Sequence, residues 1–159
     1  MPLLDLLRPV SGEELRALSE RNPGWPFERL ADGRLVVSPT GGERGRISAA
    51  VLGQLYRGNE AWGLGVVFGA STGCKLPDGL VLAPDAVFEV RSRGQSLEEL
   101  RGKAAWYLKN GVRLVVLLDP YAHRVEVFGG VEGHQGPERV PLDPELPGFA
   151  LETRSLFLP

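Results

Sequence analysis

One cysteine in 159 residues, Cys74, leaves no partner for an internal disulfide and no Cys-based zinc site, as suits a reducing compartment. Long apolar runs are missing too. None approaches the roughly twenty residues that a membrane span requires, and the opening MPLLDLLRPV lacks the basic-then-apolar order of a signal peptide. The expectation is a cytoplasmic protein with no membrane partner. Charge of one sign is equally scarce: 18 basic against 20 acidic residues give a net charge of −2. Contact with nucleic acid would therefore come from a local patch or bridging metal ions, not from the field of the whole molecule. Lysine is the rarest base, with Lys75, Lys103 and Lys109 set against fifteen arginines, so each lysine merits a question about its role.

What is present is a chain 43% hydrophobic, enough for one globular domain spanning residues 1–159 with a sizeable core. Ser11 followed by Glu14 makes a capping box for a short helix reaching Asn22, where Asn22-Pro23-Gly24 stops it. Residues 27–30 and 34–37 flank Asp32-Gly33, a hairpin signal in which both central positions of a tight turn take positive φ. After a loop at 39–42, Ile47, Val51, Leu55 and Tyr56 recur at helical spacing, so residues 43–62 are predicted to form the longest helix and to cover a sheet.

Short strand-like runs follow at 64–68, 75–76 and 80–90, punctuated by Gly69, Gly73 and Pro77-Asp78-Gly79. A second capping box, Ser96 with Glu99, opens a helix bearing Leu97, Leu100, Ala104, Tyr107 and Leu108 on one arc and ending near Asn110-Gly111. Residues 112–118 are almost wholly apolar, the mark of a central strand buried on both faces. A turn at Asp119-Pro120-Tyr121 precedes a strand at 123–128 and a glycine-rich loop at 129–136. From Val140 onward, Pro141, Pro144 and Pro147 favour a surface segment or an edge strand. The order describes an α/β sandwich with a mixed sheet.

Residues 82–92, LAPDAVFEVRS, are the most informative. In an extended strand Asp85, Val87, Glu89 and Arg91 share one face and Ala86, Phe88 and Val90 the other. An amphipathic strand with a solvated side accounts for this pattern as well as a functional site does. Arg91 can pair with Asp85 or Glu89 on its own strand face, or grip phosphate. Lys103 lies four residues before Tyr107 at the margin of the apolar arc, where its stem can pack while its amine reaches the end of the sheet. His123 and His134 lack a matching Cys or acid cluster for zinc, SPTGG at 38–42 lacks the P-loop spacing and lysine, and Gly-x-Ser-x-Gly is absent. Trp25, Trp62 and Trp106 are far apart and read as core or rim residues.

The segments FERLADGRLVVSPTGGERGRIS, STGCKLPDG, APDAVFEVRS, LEELRGKAAWYLKNGV and VVLLDPYAHRVEVF resemble successive blocks of the Uma-two family of bacterial restriction-endonuclease-like domains, within the PD-(D/E)xK nuclease superfamily. The resemblance covers most of the chain, from about Phe27 to Phe128. It implies a restriction-endonuclease-like mixed sheet flanked by helices and a metal-dependent endonuclease that hydrolyses phosphodiesters in DNA. Asp85 and Glu89 match the metal-binding acids, Lys103 matches the catalytic lysine of the following helix, and Mg2+ or Mn2+ is the implied cofactor. A homodimer is an assembly common among such enzymes, because duplex DNA has two strands to cut.

The resemblance also has a gap. Family members carry the PD block and the E-V-x-S block on two strands separated by a few tens of residues, whereas here PDA runs directly into VFEVRS. Cα atoms four apart on one strand lie roughly 13 Å from each other, while two ligands of one magnesium ion need oxygens within about 3 to 4 Å. A bend at Pro84-Asp85 is the local rescue. Asp78, in a Pro-Asp-Gly turn, and Glu43 and Glu28 are further acids that could substitute, each also explained as a turn residue or a solvated charge. The chain is thus expected to be either an endonuclease using Asp85, Glu89 and Lys103, or a catalytically inert nuclease fold kept as a DNA-binding or protein-interaction module.

Overall fold

A computed structural model describes residues 8–23, 25–30, 32–37, 41–63, 65–69, 84–129 and 138–157. Cys74, Asp78, Lys75 and His134 lie outside the described residues, as do the expected strand at 75–76, the first part of the run at 80–90 and nearly all of the loop at 129–136. The chain divides into two units, Met1–Gly41 and Gly42–Pro159.

In the first unit, helix α1 (Gly12–Arg21) begins at its capping box: Ser11 Oγ accepts the Glu14 N–H at 3.1 Å, and the Glu14 carboxylate accepts the Ser11 N–H at 2.8 Å. Strands β1 (Phe27–Arg29) and β2 (Leu35–Val37) pair antiparallel. Their turn is longer than expected. Gly33 N–H donates to the Leu30 carbonyl, the Asp32 carboxylate accepts the Arg34 N–H, and positive φ falls on Gly33 (86°). A Cβ at Gly33 would also press on Pro9, so glycine is required there for space as well as conformation.

The second unit is built on a three-stranded sheet in the order β3-β4-β5. Strand β3 (Ala86–Val90) runs parallel to β4 (Leu114–Asp119), which pairs antiparallel with β5 (Arg124–Phe128). Helix α3 (Leu97–Lys109) connects β3 to β4 and starts at the Ser96–Glu99 capping box. All six residues of β4 are buried. Alternation along the strands divides the apolar side chains. Leu114, Val116 and Leu118 pack with Val90, Val125 and Val127 against Ile47 and Val51 of helix α2 (Gly42–Trp62), while Val115 and Leu117 pack with Val87 against Leu100 and Ala104 of α3.

Three expectations are corrected. Residues 65–69 form no strand: Gly65 is held by both groups of the Asn59 side-chain amide, and Val66 and Phe68 are exposed. Tyr56 is 54% exposed, off the buried stripe of α2 that Ile47 and Val51 define. For the C-terminal segment the edge-strand alternative holds and the surface strap does not, and its strands carry core residues. Strands β6 (Arg139–Pro141) and β7 (Ala150–Glu152) pair antiparallel, and Val140, Leu142, Leu151 and Leu156 join the α2-side core almost fully buried. Pro141 is tolerated because β6 has β7 as its only strand partner among the described residues, so a missing N–H can face away from the ladder. Gly129, at φ 80°, closes β5 where a Cβ would strike the Arg113 carbonyl.

Leu151→Ala should therefore cost about 2–5 kcal/mol of unfolding free energy, measured by urea denaturation, whereas a surface β7 would lose less than about 0.5 kcal/mol.

Candidate active site

The face of the sheet covered by α3 is apolar at one end and charged at the other. Val87 and Val115 fill the apolar end, and moving toward the carboxyl ends of β3 and β4 the same face continues with Glu89, Arg91 and Asp119. Cross-strand register adds Glu126, opposite Leu117, and Arg124, opposite Asp119. The acids Asp119 and Glu126 lie buried and Glu89 half-buried between α3 and the sheet, and each is paired with a base.

Glu89 is 13% exposed in its side chain and Lys103 19%, and Lys103 Nζ stands 3.0 Å from Glu89 Oε1. Tyr107 donates its hydroxyl to the same oxygen at 2.9 Å. The helix geometry explains the convergence. Leu100 and Ala104 turn inward, which places Lys103 at the edge of the buried arc, and Tyr107 one turn later lies beneath the ammonium, whose nitrogen is 5.7 Å from the ring centre. An acid, a base and a hydroxyl thus meet at one carboxylate oxygen.

Asp85 stands elsewhere. Its carboxylate is paired with Arg113, with Nη2 at 3.0 Å and Nε at 3.1 Å from Oδ1, on side chains 73% and 60% exposed. Its carbonyl accepts the N–H groups of both Arg113 and Leu114, which anchors the start of β3 to the start of β4. From Ala86 to Val90 the ladder with β4 is unbroken, with no bulge to shorten the path toward Glu89. At about 3.3 Å of rise per residue, Asp85 and Glu89 are separated by nearly the whole strand. As a pair they do not fit one magnesium ion, and among the described residues no three His, Cys, Asp or Glu side chains are placed to hold a metal ion.

Arg91 is the further surprise of the strand. Its partner is neither Asp85 nor Glu89 but Asp119, at 2.8 Å, with its Nε donating to the Gln95 carbonyl. Asp119 also accepts the N–H groups of Tyr121 and Ala122, so the residue read as a turn former closes the turn and buries a charge. Glu126 accepts two bonds from Arg101, at 2.8 and 2.6 Å, and lies 3.2 Å from Arg124 Nε. Those hydrogen bonds from Arg101, reinforced by the charges of Arg101 and Arg124, hold the Glu126 carboxyl below its ordinary value of 4.5, against the opposing effects of burial and of Asp119. Asp119 and Glu126 were not singled out as candidates in the sequence. The available signal was their even spacing on their own strands, in phase with the α3-facing positions. Of the remaining candidates, Glu43 is exposed in the first turn of α2 and Glu28 is half-buried on β1. His123 takes positive φ (49°) in the β4–β5 turn and stacks on Phe157. Trp25 and Trp62 are exposed, and Trp106 packs edge-on against Tyr107.

A mixed sheet with a helical crossover defines an α/β domain. The model of the Uma2 family, described as "Putative restriction endonuclease", matches residues 13–88 and 78–154, and the chain belongs to that family. Residues 78–88 are matched in both segments. A crystal structure of a putative nuclease belonging to DUF820 from Anabaena variabilis ATCC 29413 is similar in fold, with a TM-score of 0.61 and 19% identity over 82% of this chain and 89% of that one. No curated protein matches the sequence.

Because the pKa of Glu126 is depressed on folding, its stabilising contribution is present above about pH 4.5 and fades as the pH falls through its lower folded value. The stability difference between wild type and Glu126→Gln, followed by urea unfolding, should shrink below about pH 4.5. A difference constant from about pH 7 to about pH 3 would contradict the pairing.

Proposed function

We propose that this protein is an endonuclease that hydrolyses DNA phosphodiesters at a centre formed by Glu89 and Lys103. The observation that carries the reading is the 3.0 Å contact between Lys103 Nζ and Glu89 Oε1 at the carboxyl end of β3, which runs parallel to the central strand β4, the edge where open α/β sheets bind ligands. The family membership supports the reaction class.

The residues perform complementary tasks in this reading. Lys103 is a compact positive charge that draws a phosphate to the site and stabilises the charge that builds on it during attack. Glu89, next to it, orients the attacking water and accepts its proton. Tyr107 fixes the carboxylate through Oε1 and so sets the direction in which the acid presents itself. Arg91 takes no part in proton transfer, since its guanidinium does not release a proton near neutral pH. Magnesium or manganese belongs to the reading through the family. Glu89 is the described carboxylate that would hold the ion, together with phosphate oxygens of the substrate, as magnesium commonly is held by one or two carboxylates plus phosphate. When bound, the ion supplies positive charge to the phosphate and acidifies a water. Asp85 enters only if its exposed pair with Arg113 opens, a pair worth about 0–1 kcal/mol, and the strand distance still separates it from Glu89. A homodimer would present two copies of the site to the two strands of a duplex, and a cytoplasmic location completes the proposal.

A second reading, the nuclease fold kept without cutting as a DNA-binding or protein-interaction module, is favoured by one observation: the two motif acids are held by different cations at opposite ends of β3. A plasmid-nicking assay with Mg2+ or Mn2+ decides between them. The endonuclease reading expects nicking that EDTA stops and that falls about a hundredfold in Glu89→Gln and in Lys103→Ala. Equal background from wild type and Glu89→Gln assigns the chain to the second reading.

A further inference from the structure

Across the sheet from Glu89, the α3 face holds a second set of charges that the chemistry above does not use. Glu126 and Asp119 are buried, with side chains 8% and 4% exposed, while the arginines on them reach the surface: Arg101 is 43% exposed and Arg124 39%. The acids lie beneath and the guanidiniums above. Three arginines, Arg91, Arg101 and Arg124, share these two carboxylates, and Glu98 adds its negative charge beside Arg101. A guanidinium has five N–H donors, and Arg101 engages Glu126 through Nε and one terminal nitrogen, which fixes the plane of the group while much of it stays in contact with solvent. Arg91 is held by one bond to Asp119 and one to the Gln95 carbonyl, and it covers the ring of the partly exposed Tyr121, 5.6 Å from its centre.

Such an array is suited to phosphate. Arginine matches phosphate oxygens in a forked geometry, and a guanidinium already held in place loses less side-chain freedom on binding than a mobile one. The register also sets the spacing. Glu89 pairs across β3 and β4 with Leu117, and Leu117 pairs with Glu126 on β5, so the two charged sets are two strand spacings apart, about 10 Å.

We propose that Arg101 and Arg124, set in place by the buried Glu126, form a backbone-phosphate contact for nucleic acid flanking the Glu89–Lys103 centre. This inference rests on the reading of the chain as a protein that acts on DNA. It adds to that reading a phosphate contact that is independent of base sequence.

The test is binding of a fluorescein-labelled 20-base-pair DNA duplex by the full chain in EDTA, where no cutting occurs, over a series of NaCl concentrations. Arg124→Gln should weaken binding at low salt for unrelated sequences alike and lower the slope of log K against log salt by about one, with Arg124→Lys restoring the slope. Arg101→Gln combined with Glu126→Gln, which removes the base together with the buried acid beneath it and so avoids an unpaired carboxylate, should lower the slope by the same amount while thermal melting reports an intact fold. Wild-type binding with an unchanged slope in both variants overturns this interface and leaves the nuclease reading standing. A wild type that does not bind duplex overturns both.

Discussion

The carboxylate of Glu89, enclosed between a sheet and a helix, is the constraint on which the rest of the site depends. A charge in that position must be paired, because moving an ion out of water costs several kcal/mol when nothing answers it. Lys103 and Tyr107 answer it from one face of α3. The same contact fixes how α3 lies on the sheet: Leu100 and Ala104 can only reach Val115 and Leu117 when Lys103 stands over the end of β3. Packing and chemistry therefore share one register.

The sheet supplies the rigidity that such a pair needs. Strand β4 is buried on both faces, its odd-numbered residues serving the α3 side and its even-numbered ones the α2 side. Asp119 extends the α3-facing series to the strand's end, which is why a charge appears there and why Arg91, Tyr121 and Ala122 all turn toward it. The buried acids of this face are thus consequences of strand alternation, and the arginines above them are consequences of the acids.

Much of this was legible in the sequence. The two Ser-x-x-Glu boxes marked the starts of α1 and α3 because a cap is a local matter of four residues, and the apolar run before Asp119 could only be a strand covered on both sides. Glu89 and Lys103 were legible through parity, helical spacing and the family's block order. Partners across long separations were not. Nothing near Arg91 announced Asp119, 28 residues away, as its counter-ion, and the prolines around Val140 concealed a hairpin whose alternate residues, Val140 and Leu151, close the α2-side core. Tyr56 fell within a helical pattern yet outside the arc that the sheet covers. The gap between the PD and E-V-x-S blocks was plain in the sequence, and in the structure Asp85 stands before the first residue of β3, tied to Arg113, while Glu89 pairs with Lys103.

The most direct measurement is a crystal structure of the Glu89→Gln variant with a short DNA duplex. This account expects a backbone phosphate oxygen about 2.7–3.0 Å from Lys103 Nζ, at the carboxyl end of β3. A duplex seated on another face, with no phosphate near Lys103, would contradict it.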